Sequence, residues 1–253
     1  MSDEELFGKG YNRVYDTLEM EANLNDVEEF NGRALERLGP DRELSSEIVC
    51  RTLGELLAED PDGDGVLRSA FEKNVPVYVP AFTDSELGLD LATWTMSRAQ
   101  AEGASGIEDL LEKVPRFNPF LDLNSFARLA LSAKRLGIFT VGGGVPRNWA
   151  QESAPVIDVA NHRLGLGVTP PRYVSAVRIG PEPAHWGGLS GCTYSEGVSW
   201  GKFVAPERGG RYAEVLADAT IAWPLVVAAV SERLDRDPPR GPKTFPWPEP
   251  GDP

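Results

Sequence analysis

From about residue 64 onward, short β-rich runs alternate with segments of helical length, and this alternation limits the possible folds more than any other feature. The β-rich runs are VPVYVP, GIFTVG, RYVSAVRIG and AEVLAD, at 75–80, 137–142, 172–180 and 213–218. The segments that favour helix are 64–73, 87–102, 123–135, 147–164 and 221–234. Strands separated by helices form βαβ units, whose strands are parallel and whose sheet is covered by helices on both faces. The sequence therefore predicts an α/β fold built on a parallel sheet.

The organisation along the chain follows from the same pattern. Residues 1–60 are rich in charge and predict helices at 25–38 and 45–59. The α/β pattern occupies residues 61–235. Residues 236–253 are rich in proline, which predicts an extended tail.

The net charge of −14 over 253 residues narrows the classes of partner. A chain this acidic does not neutralise phosphates, so we expect it to bind neither nucleic acid nor an anionic membrane. An acidic surface attracts small cationic molecules, but it serves solubility equally well. Two cysteines, Cys50 and Cys192, are too few for a disulfide framework or a zinc site. The first residues form no signal segment and no apolar run is long enough to span a bilayer, so we expect a cytoplasmic protein.

Two features imitate metal or catalytic sites. The run DPDGDG at 60–65 resembles the first half of a calcium-binding loop, but Phe71 stands where the loop needs its glutamate. We therefore interpret this run as a turn between two helices. His162 and His185 have no metal-like spacing, so we expect no metal site. His162 ends a helical run, where its charge suits the helix dipole, and His185 in a loop is the better functional candidate.

Two further segments could carry chemistry. In EGVSWGKF at 196–203, Lys202 is either a surface lysine with its stem across an indole or a lysine whose surroundings free the amine for attack. VGGGVP at 141–146 follows a predicted strand and opens a predicted helix. Glycines in that position let backbone N–H groups approach a phosphate, or they simply form a tight turn.

Taken in order, four segments resemble the deoxyhypusine synthase family. They are VPVYVPAFTDSELG, GGGVPRN, SGCTYSEGVSWGK and LADATIAWPL, at 75–88, 142–148, 190–202 and 216–225. The resemblance covers about residues 5–234, and SWGK is its most specific element. It implies a Rossmann-like sheet and an NAD-dependent aminoalkyl transferase. In that family a polyamine such as spermidine is oxidised by hydride transfer to NAD, and a lysine captures its alkylamine part as an imine. An acceptor amine, which is a translation-factor lysine in hypusine formation, then receives it.

The resemblance also assigns roles to individual residues. Lys202 would be the nucleophile that forms the imine. The amine site would contain Asn148, Gly187, Gly188, Leu189, Glu196 and Trp200. NAD would contact Asp84, Gly142, Gly143, Pro181, Glu182, Asp218 and Ala219. Trp200 would give the lysine an apolar wall and could face a substrate cation.

Several positions depart from the family pattern around the amine site. Family members from eukaryotes have a histidine and an asparagine where this chain has Asn148 and Glu152. Leu89 replaces an aspartate of the family, with Asp90 next to it, and Trp186 replaces an acidic residue. These changes resemble those of prokaryotic relatives that use agmatine or other small amines.

The resemblance bears on assembly as well. Ahead of the region matched here, family members carry a segment with further NAD-binding elements, including a Thr-x-Gly-Gly loop. They form homotetramers in which each active site is built across a subunit boundary. We therefore expect an oligomer in which copies of this chain or a longer partner complete the site. The alternative is a catalytically incomplete paralogue or fragment that serves as a subunit of a complete enzyme.

Overall fold

The computed structural model describes residues 2–188 and 191–238. They form two compact units, divided between Asn118 and Pro119. The boundary predicted after residue 60 therefore falls inside the first unit. Leu189 and the part of the predicted tail from 239 to 253 lie outside the described residues. No described helix is long and apolar enough to cross a membrane.

The first unit is mainly helical. Its described α-helices are α1 (Asp3–Phe7), α2 (Glu21–Leu38), α3 (Ser46–Glu59), α4 (Val66–Glu72), α5 (Glu86–Ala101) and α6 (Ile107–Leu111). An antiparallel hairpin precedes α2 and consists of β1 (Tyr11–Val14) and β2 (Thr17–Met20). A short 3-10 turn, Phe82–Asp84, precedes α5. The helices predicted at 25–38 and 45–59 are confirmed as α2 and α3.

The core of the first unit forms because α3 carries one apolar face. Val49, Leu53 and Leu56 recur at helical spacing and are all buried. They pack with Leu35 of α2 and Leu91 of α5 in a single hydrophobic cluster. This cluster holds the three longest helices of the unit together.

The strand predicted at 75–80 is wrong. Within the described chain these residues are irregular and join no sheet. Pro76 and Pro80 have no N–H to donate to a neighbouring strand. Val79 donates its N–H to a side chain instead, Ser46 Oγ of α3, at 2.8 Å. The proline content therefore outweighs the β propensity of the valines.

The run at 60–65 forms the predicted turn between α3 and α4. The Asp62 N–H donates to Asp60 Oδ1 at 3.0 Å, and the Arg68 guanidinium donates to the carbonyls of Asp60 and Gly63. The polar groups of the turn are therefore hydrogen-bonded to neighbouring residues of the chain. In the described chain, no group of three or more His, Cys, Asp or Glu side chains is arranged to hold a metal ion.

The second unit contains a parallel sheet, so the predicted α/β class is confirmed. Its strands are β3 (Leu136–Val141), β4 (Tyr173–Gly180) and β5 (Arg211–Leu216), in the spatial order β3–β4–β5. The described α-helices are α7 (Pro119–Ser132), α8 (Val145–Gln151), α9 (Ser153–Leu164), α10 (Tyr194–Ser199) and α11 (Ala219–Arg236). Short 3-10 turns lie at Ala184–Trp186 and Pro206–Arg208. The helix predicted at 147–164 is two helices, α8 and α9, which meet at Glu152.

An aromatic cluster packs against β4. Phe203 contacts the rings of Tyr173, Tyr194 and Tyr212 at centroid distances of 5.7, 5.3 and 5.4 Å. Tyr173, Ala176 and Phe203 are buried, and they form the centre of the hydrophobic core of this unit. Two of its three buried members are aromatic, which gives the rings a large part in its packing.

Replacing Leu53 by Ala should lower the free energy of unfolding by about 2–5 kcal/mol, because the substitution leaves a cavity in the core. Leu53 is 2% exposed. Leu89→Ala is the matched control, since Leu89 is 56% exposed and its loss should change stability by less than about 0.5 kcal/mol. Denaturant titration of both variants measures the difference. Equal effects would contradict the assigned core.

Candidate functional site

Lys202 lies on a segment whose backbone is paired with the sheet. Its N–H donates to the Gly197 carbonyl at 2.9 Å, and its carbonyl accepts from the Tyr173 N–H at 3.1 Å. The Val204 N–H donates to the Tyr173 carbonyl at 2.9 Å. Between them, Phe203 is 2% exposed within the aromatic cluster. The peptide groups on both sides of Lys202 are therefore fixed.

The Lys202 side chain ends between two oxygen atoms near the junction of α8 and α9. Nζ donates to Asn148 Oδ1 at 3.1 Å and to Glu152 Oε1 at 2.9 Å. Lys202 is 7% exposed, whereas the Glu152 side chain is 40% exposed. The structure thus brings Lys202 together with the predicted site residue Asn148. It also brings in Glu152, which the sequence analysis placed near the amine site as a departure from the family pattern without giving it a role. Its spacing of four residues from Asn148 is consistent with both side chains lying on one helix face.

Two glycines let the chain place Lys202 where it is. A Cβ on Gly197 would lie 2.5 and 2.7 Å from two carbons of the Phe203 ring, so the close approach of α10 to that ring requires glycine. Gly201 has φ of +72°, which a residue with a side chain adopts only with strain. The chain reverses at Gly201, and Lys202 follows immediately.

The backbone of Lys202 lies at the N-terminal end of the sheet, not at the C-terminal edge where a parallel sheet usually binds its ligands. The backbone pairs with Tyr173, the first residue of β4. The reason is topological: β4 and β5 are parallel, so the connection between them must return to the N-terminal end of the sheet before β5 starts. Lys202 lies late in that connection.

The other predicted amine-site residues are not gathered around Nζ in the described contacts. Glu196 is exposed on α10, and Trp200 is 67% exposed. Gly187 and Gly188 have φ of +83° and +76° and follow the 3-10 turn at Ala184–Trp186. Leu189 lies outside the described residues.

Arg147 and Cys192 also border this site, and the sequence analysis did not select them. Arg147 is buried; its guanidinium donates to the Cys192 carbonyl at 3.3 Å and lies 5.8 Å from the ring centroid of Tyr194. Burial and the Glu196 carboxylate raise the pKa of the Cys192 thiol, against the opposing charges of Arg147 and Lys202. The shift favours the protonated thiol over the more reactive thiolate.

The residues predicted to contact NAD mostly lie at the opposite, C-terminal edge of the sheet. Gly142 and Gly143 follow β3, Pro181 and Glu182 follow β4, and Asp218 and Ala219 follow β5. One buried side chain that the prediction missed links two of these loops. Arg178 on β4 donates to the Gly142 carbonyl at 3.3 Å and to the Glu182 carbonyl at 3.1 Å. The sequence could have indicated this role, because Arg178 is a charged residue within a mostly apolar strand.

Two of the predicted cofactor contacts have structural roles of their own. Asp218 is the N-cap of α11: its Oδ1 accepts from the Thr220 N–H at 2.8 Å and the Thr220 hydroxyl at 2.7 Å. These bonds lower the pKa of Asp218. Asp84 belongs to the first unit, where it ends the 3-10 turn before α5.

Asp90 lies next to Leu89, the residue that replaces an aspartate of the family. In the structure, Asp90 takes part in helix packing within the first unit. It is buried and accepts a hydrogen bond from Asn31 Nδ2 of α2 at 2.5 Å. Leu89 beside it is largely exposed. The buried carboxylate therefore joins α5 to α2.

Comparison with models of known protein families identifies the family of this chain. A family model described as "Deoxyhypusine synthase" matches residues 1–230. This chain belongs to the deoxyhypusine synthase family. The resemblance carried by the four sequence segments is confirmed, and Lys202, Asn148 and Glu152 all lie within the matched region.

Similarity to individual curated proteins supports the same family. "Probable deoxyhypusine synthase 2" of Methanosarcina mazei is 31% identical over 232 residues, which are 92% of this chain and 61% of that protein. "Probable deoxyhypusine synthase 1" of Methanosarcina acetivorans is 32% identical over 93% of this chain and 63% of its own length. "Deoxyhypusine synthase-like protein" of Elusimicrobium minutum is 29% identical over 85% of this chain and 52% of its own. The chain thus spans about three fifths of the length of the first relatives it matches.

Replacing Gly197 by Ala should destabilise the second unit by about 1–3 kcal/mol, because the new methyl overlaps the buried Phe203 ring. Gly32→Ala is the matched control, since Gly32 is also helical and has open space around its Cβ position. It should stabilise the protein by about 0.5–1 kcal/mol. Thermal or denaturant unfolding distinguishes the two. A neutral Gly197→Ala would contradict the packing around Lys202.

Tyr173 should make stability fall at high pH. Burial raises its pKa to about 12, and its hydroxyl donates to the Ala150 carbonyl at 2.8 Å. Between the ordinary tyrosine pKa of about 10 and that value, the native chain holds a proton that the unfolded chain has lost, so unfolding becomes more favourable as pH rises. Tyr173→Phe should remove the phenolate absorbance step near pH 12 and cost about 0.5–1.5 kcal/mol at neutral pH. An unchanged titration curve would contradict this assignment.

Proposed function

We propose that this chain acts as an NAD-dependent aminoalkyl transferase, in which Lys202 carries the alkylamine part of a polyamine or related amine as an imine to an acceptor amine. The observation that carries the proposal is the placement of Lys202. Its amine is buried and held by Asn148 and Glu152, in a chain of the deoxyhypusine synthase family. A nucleophilic amine needs this kind of defined position and restricted solvent.

The backbone around Lys202 supports a role in covalent chemistry. The Lys202 N–H is hydrogen-bonded to Gly197 of α10 and its carbonyl to Tyr173 of β4, and Phe203 anchors the segment in the core. A fixed backbone leaves only the side-chain rotamers to be ordered when a substrate carbon arrives. The exposed Trp200 and Glu196 would receive the cationic end of the amine, through the indole face and the carboxylate respectively.

The C-terminal edge of the sheet fits a dinucleotide such as NAD. Gly142 and Gly144, on either side of Gly143, have φ of +80° and +86° and open space at their Cβ positions, so a phosphate could approach this loop closely. Asp218 presents an exposed carboxylate at the end of β5, where a ribose hydroxyl is commonly bound. When bound, NAD would accept the hydride of the amine and return it to the product. Gly142, Gly143, Glu182 and Asp218 would hold it.

Helix α8 supports the proposal that the amine site and the NAD site are adjacent. It starts after the glycine loop at Gly144 and carries Asn148, which contacts Lys202 Nζ. At the usual helical rise, Asn148 lies about 6 Å along the axis from Gly144. The amine of Lys202 therefore lies near the loop proposed for NAD, although its backbone lies at the other end of the sheet.

We propose that the active form is a homo-oligomer, a tetramer as in the family. Helix α11 has no buried residue in the described chain, yet it carries the exposed side chains of Ile221, Trp223 and Leu225. Apolar surface of this kind on a helix is typical of a face that another protein covers. We propose that a second copy of this chain covers this face of α11. The proposed location of the oligomer is the cytoplasm.

The donor and acceptor are proposed as small amines. Asn148 and Glu152 replace a histidine and an asparagine of the eukaryotic family pattern, and both contact the reacting nitrogen. Glu152 places a carboxylate where the eukaryotic pattern has a neutral amide, so the amine site differs in polarity and we propose a different small amine, such as agmatine, as donor. A translation-factor lysine stays the alternative acceptor.

Lys202→Ala and Lys202→Arg should both abolish amine transfer, since alanine has no amine and the guanidinium stays protonated. The measurement is borohydride trapping with NAD and either spermidine or agmatine, followed by mapping of the modified peptide. Lys134→Ala, which removes an exposed lysine of the same unit, should retain full transfer.

Two results would overturn the proposed mechanism. Normal transfer by Lys202→Ala would exclude the imine on this residue. A wild-type chain that never transfers amine alone, but raises the activity of a full-length relative, would favour the alternative of a subunit of a complete enzyme.

A further inference from the structure

Glu152 is the charged group in direct contact with the Lys202 amine. Its Oε1 lies 2.9 Å from Nζ, while the other oxygen at Nζ, Asn148 Oδ1, belongs to a neutral amide. The Glu152 backbone is fixed where two helices meet: its N–H donates to the Trp149 carbonyl and its carbonyl accepts from the Val156 N–H, each at 3.0 Å. The carboxylate is therefore held on the reacting nitrogen by the fold.

A lysine can attack a carbon centre only as the neutral amine, so the ammonium proton must first move to a base. An amide oxygen such as that of Asn148 is too weak a base to take it. A carboxylate within hydrogen-bond distance can take it. We propose that Glu152 is the proton acceptor and donor for Lys202, an inference that rests on the proposed imine chemistry of Lys202.

The proposed step conserves atoms and electrons. The Nζ–H bond breaks and an Oε1–H bond forms, which leaves a neutral amine and a neutral carboxylic acid. The Nζ lone pair then forms a bond to the electrophilic carbon of the bound imine. The nitrogen of the original imine takes the proton from Glu152, and the restored carboxylate accepts a second proton from Nζ. The Nζ lone pair then forms the new carbon–nitrogen double bond as the original carbon–nitrogen bond breaks. Glu152 passes the second proton to the departing amine, and the ionised carboxylate is restored. No oxidant or reductant takes part in this exchange.

Partial exposure suits Glu152 to this role. The ammonium lies in a nearly closed position, whereas the Glu152 side chain is 40% exposed. Glu152 can therefore exchange its proton with solvent between turnovers while Lys202 stays shielded. A carboxylate that served only as a buried counter-charge would need no such access to water.

The test measures imine formation without NAD and without a polyamine donor. Protein is incubated with butyraldehyde, and the imine on Lys202 is trapped with borohydride and quantified by peptide mass spectrometry. In this reaction the proton that Glu152 accepts returns to the departing hydroxyl group as water. Glu152→Gln and Glu152→Ala should form the Lys202 adduct at least about 100-fold more slowly than wild type. Glu207→Gln, at an exposed position of the same unit, should match wild type.

Chemical rescue separates proton transfer from a structural role. Acetate should restore adduct formation in Glu152→Ala in proportion to its concentration, because the deleted side chain leaves room for a small carboxylate. It should not restore Glu152→Gln, whose side chain fills the same space. If either variant fails to fold by circular dichroism, Glu152→Asp retains the charge and should react about tenfold more slowly, because its carboxylate is drawn back by one methylene.

The outcomes distinguish this inference from the proposed function. Wild-type rates in folded Glu152→Gln or Glu152→Ala, or a Glu152→Asp variant that reacts no faster than the other two, would overturn the role of Glu152 and leave the transferase proposal standing. Glu152-dependent trapping of the aldehyde in a protein that transfers no amine would support Glu152 and contradict the transferase proposal.

Discussion

The burial of Phe203 beside Tyr173 is the interaction on which the rest of this site depends. It ties the connection between β4 and β5 to the start of β4, and Lys202 is the residue immediately before it. Because the neighbouring main-chain groups are paired with Tyr173, the lysine backbone cannot move without disturbing the core of the unit. Gly197 allows the close helix–ring contact that makes this packing possible. The position of Lys202 is thus a consequence of aromatic packing.

A buried ammonium is costly unless its protons are hydrogen-bonded and its charge is balanced. Asn148 and Glu152 supply both, but the same contacts stabilise the ammonium form, which is not nucleophilic. Stability and reactivity therefore oppose each other at this nitrogen. Their conflict is resolved if one of the stabilising groups is also the base. A carboxylate satisfies both demands, whereas the amide of Asn148 satisfies only the first.

The sequence predicted well those features that depend on local pattern. The runs that became β3, β4 and β5 are apolar and β-rich, and their placement by periodicity was correct within about two residues. The run at 75–80 has the same valines, but Pro76 and Pro80 remove the donors that a ladder requires. The contact between Lys202 and Glu152 joins residues 50 positions apart, and no local pattern encodes such a distance. The motif identified Lys202 and the resemblance placed Glu152 near the amine site, but the direct contact between their side chains became evident only from the structure.

The direction of that connection could have been inferred from the sequence, and it explains how the site is assembled. Once β4 and β5 are parallel, any residue late in their connection must lie at the N-terminal end of the sheet. Helix α8 starts at the opposite end, after the glycine loop, and follows β3. The two elements therefore approach the same region from opposite ends of the sheet, and the Lys202 side chain closes the remaining gap. A lysine placed directly at the C-terminal edge would meet the glycine loop without α8 between them, and it would lack the oxygen atoms of Asn148 and Glu152 that hold its amine.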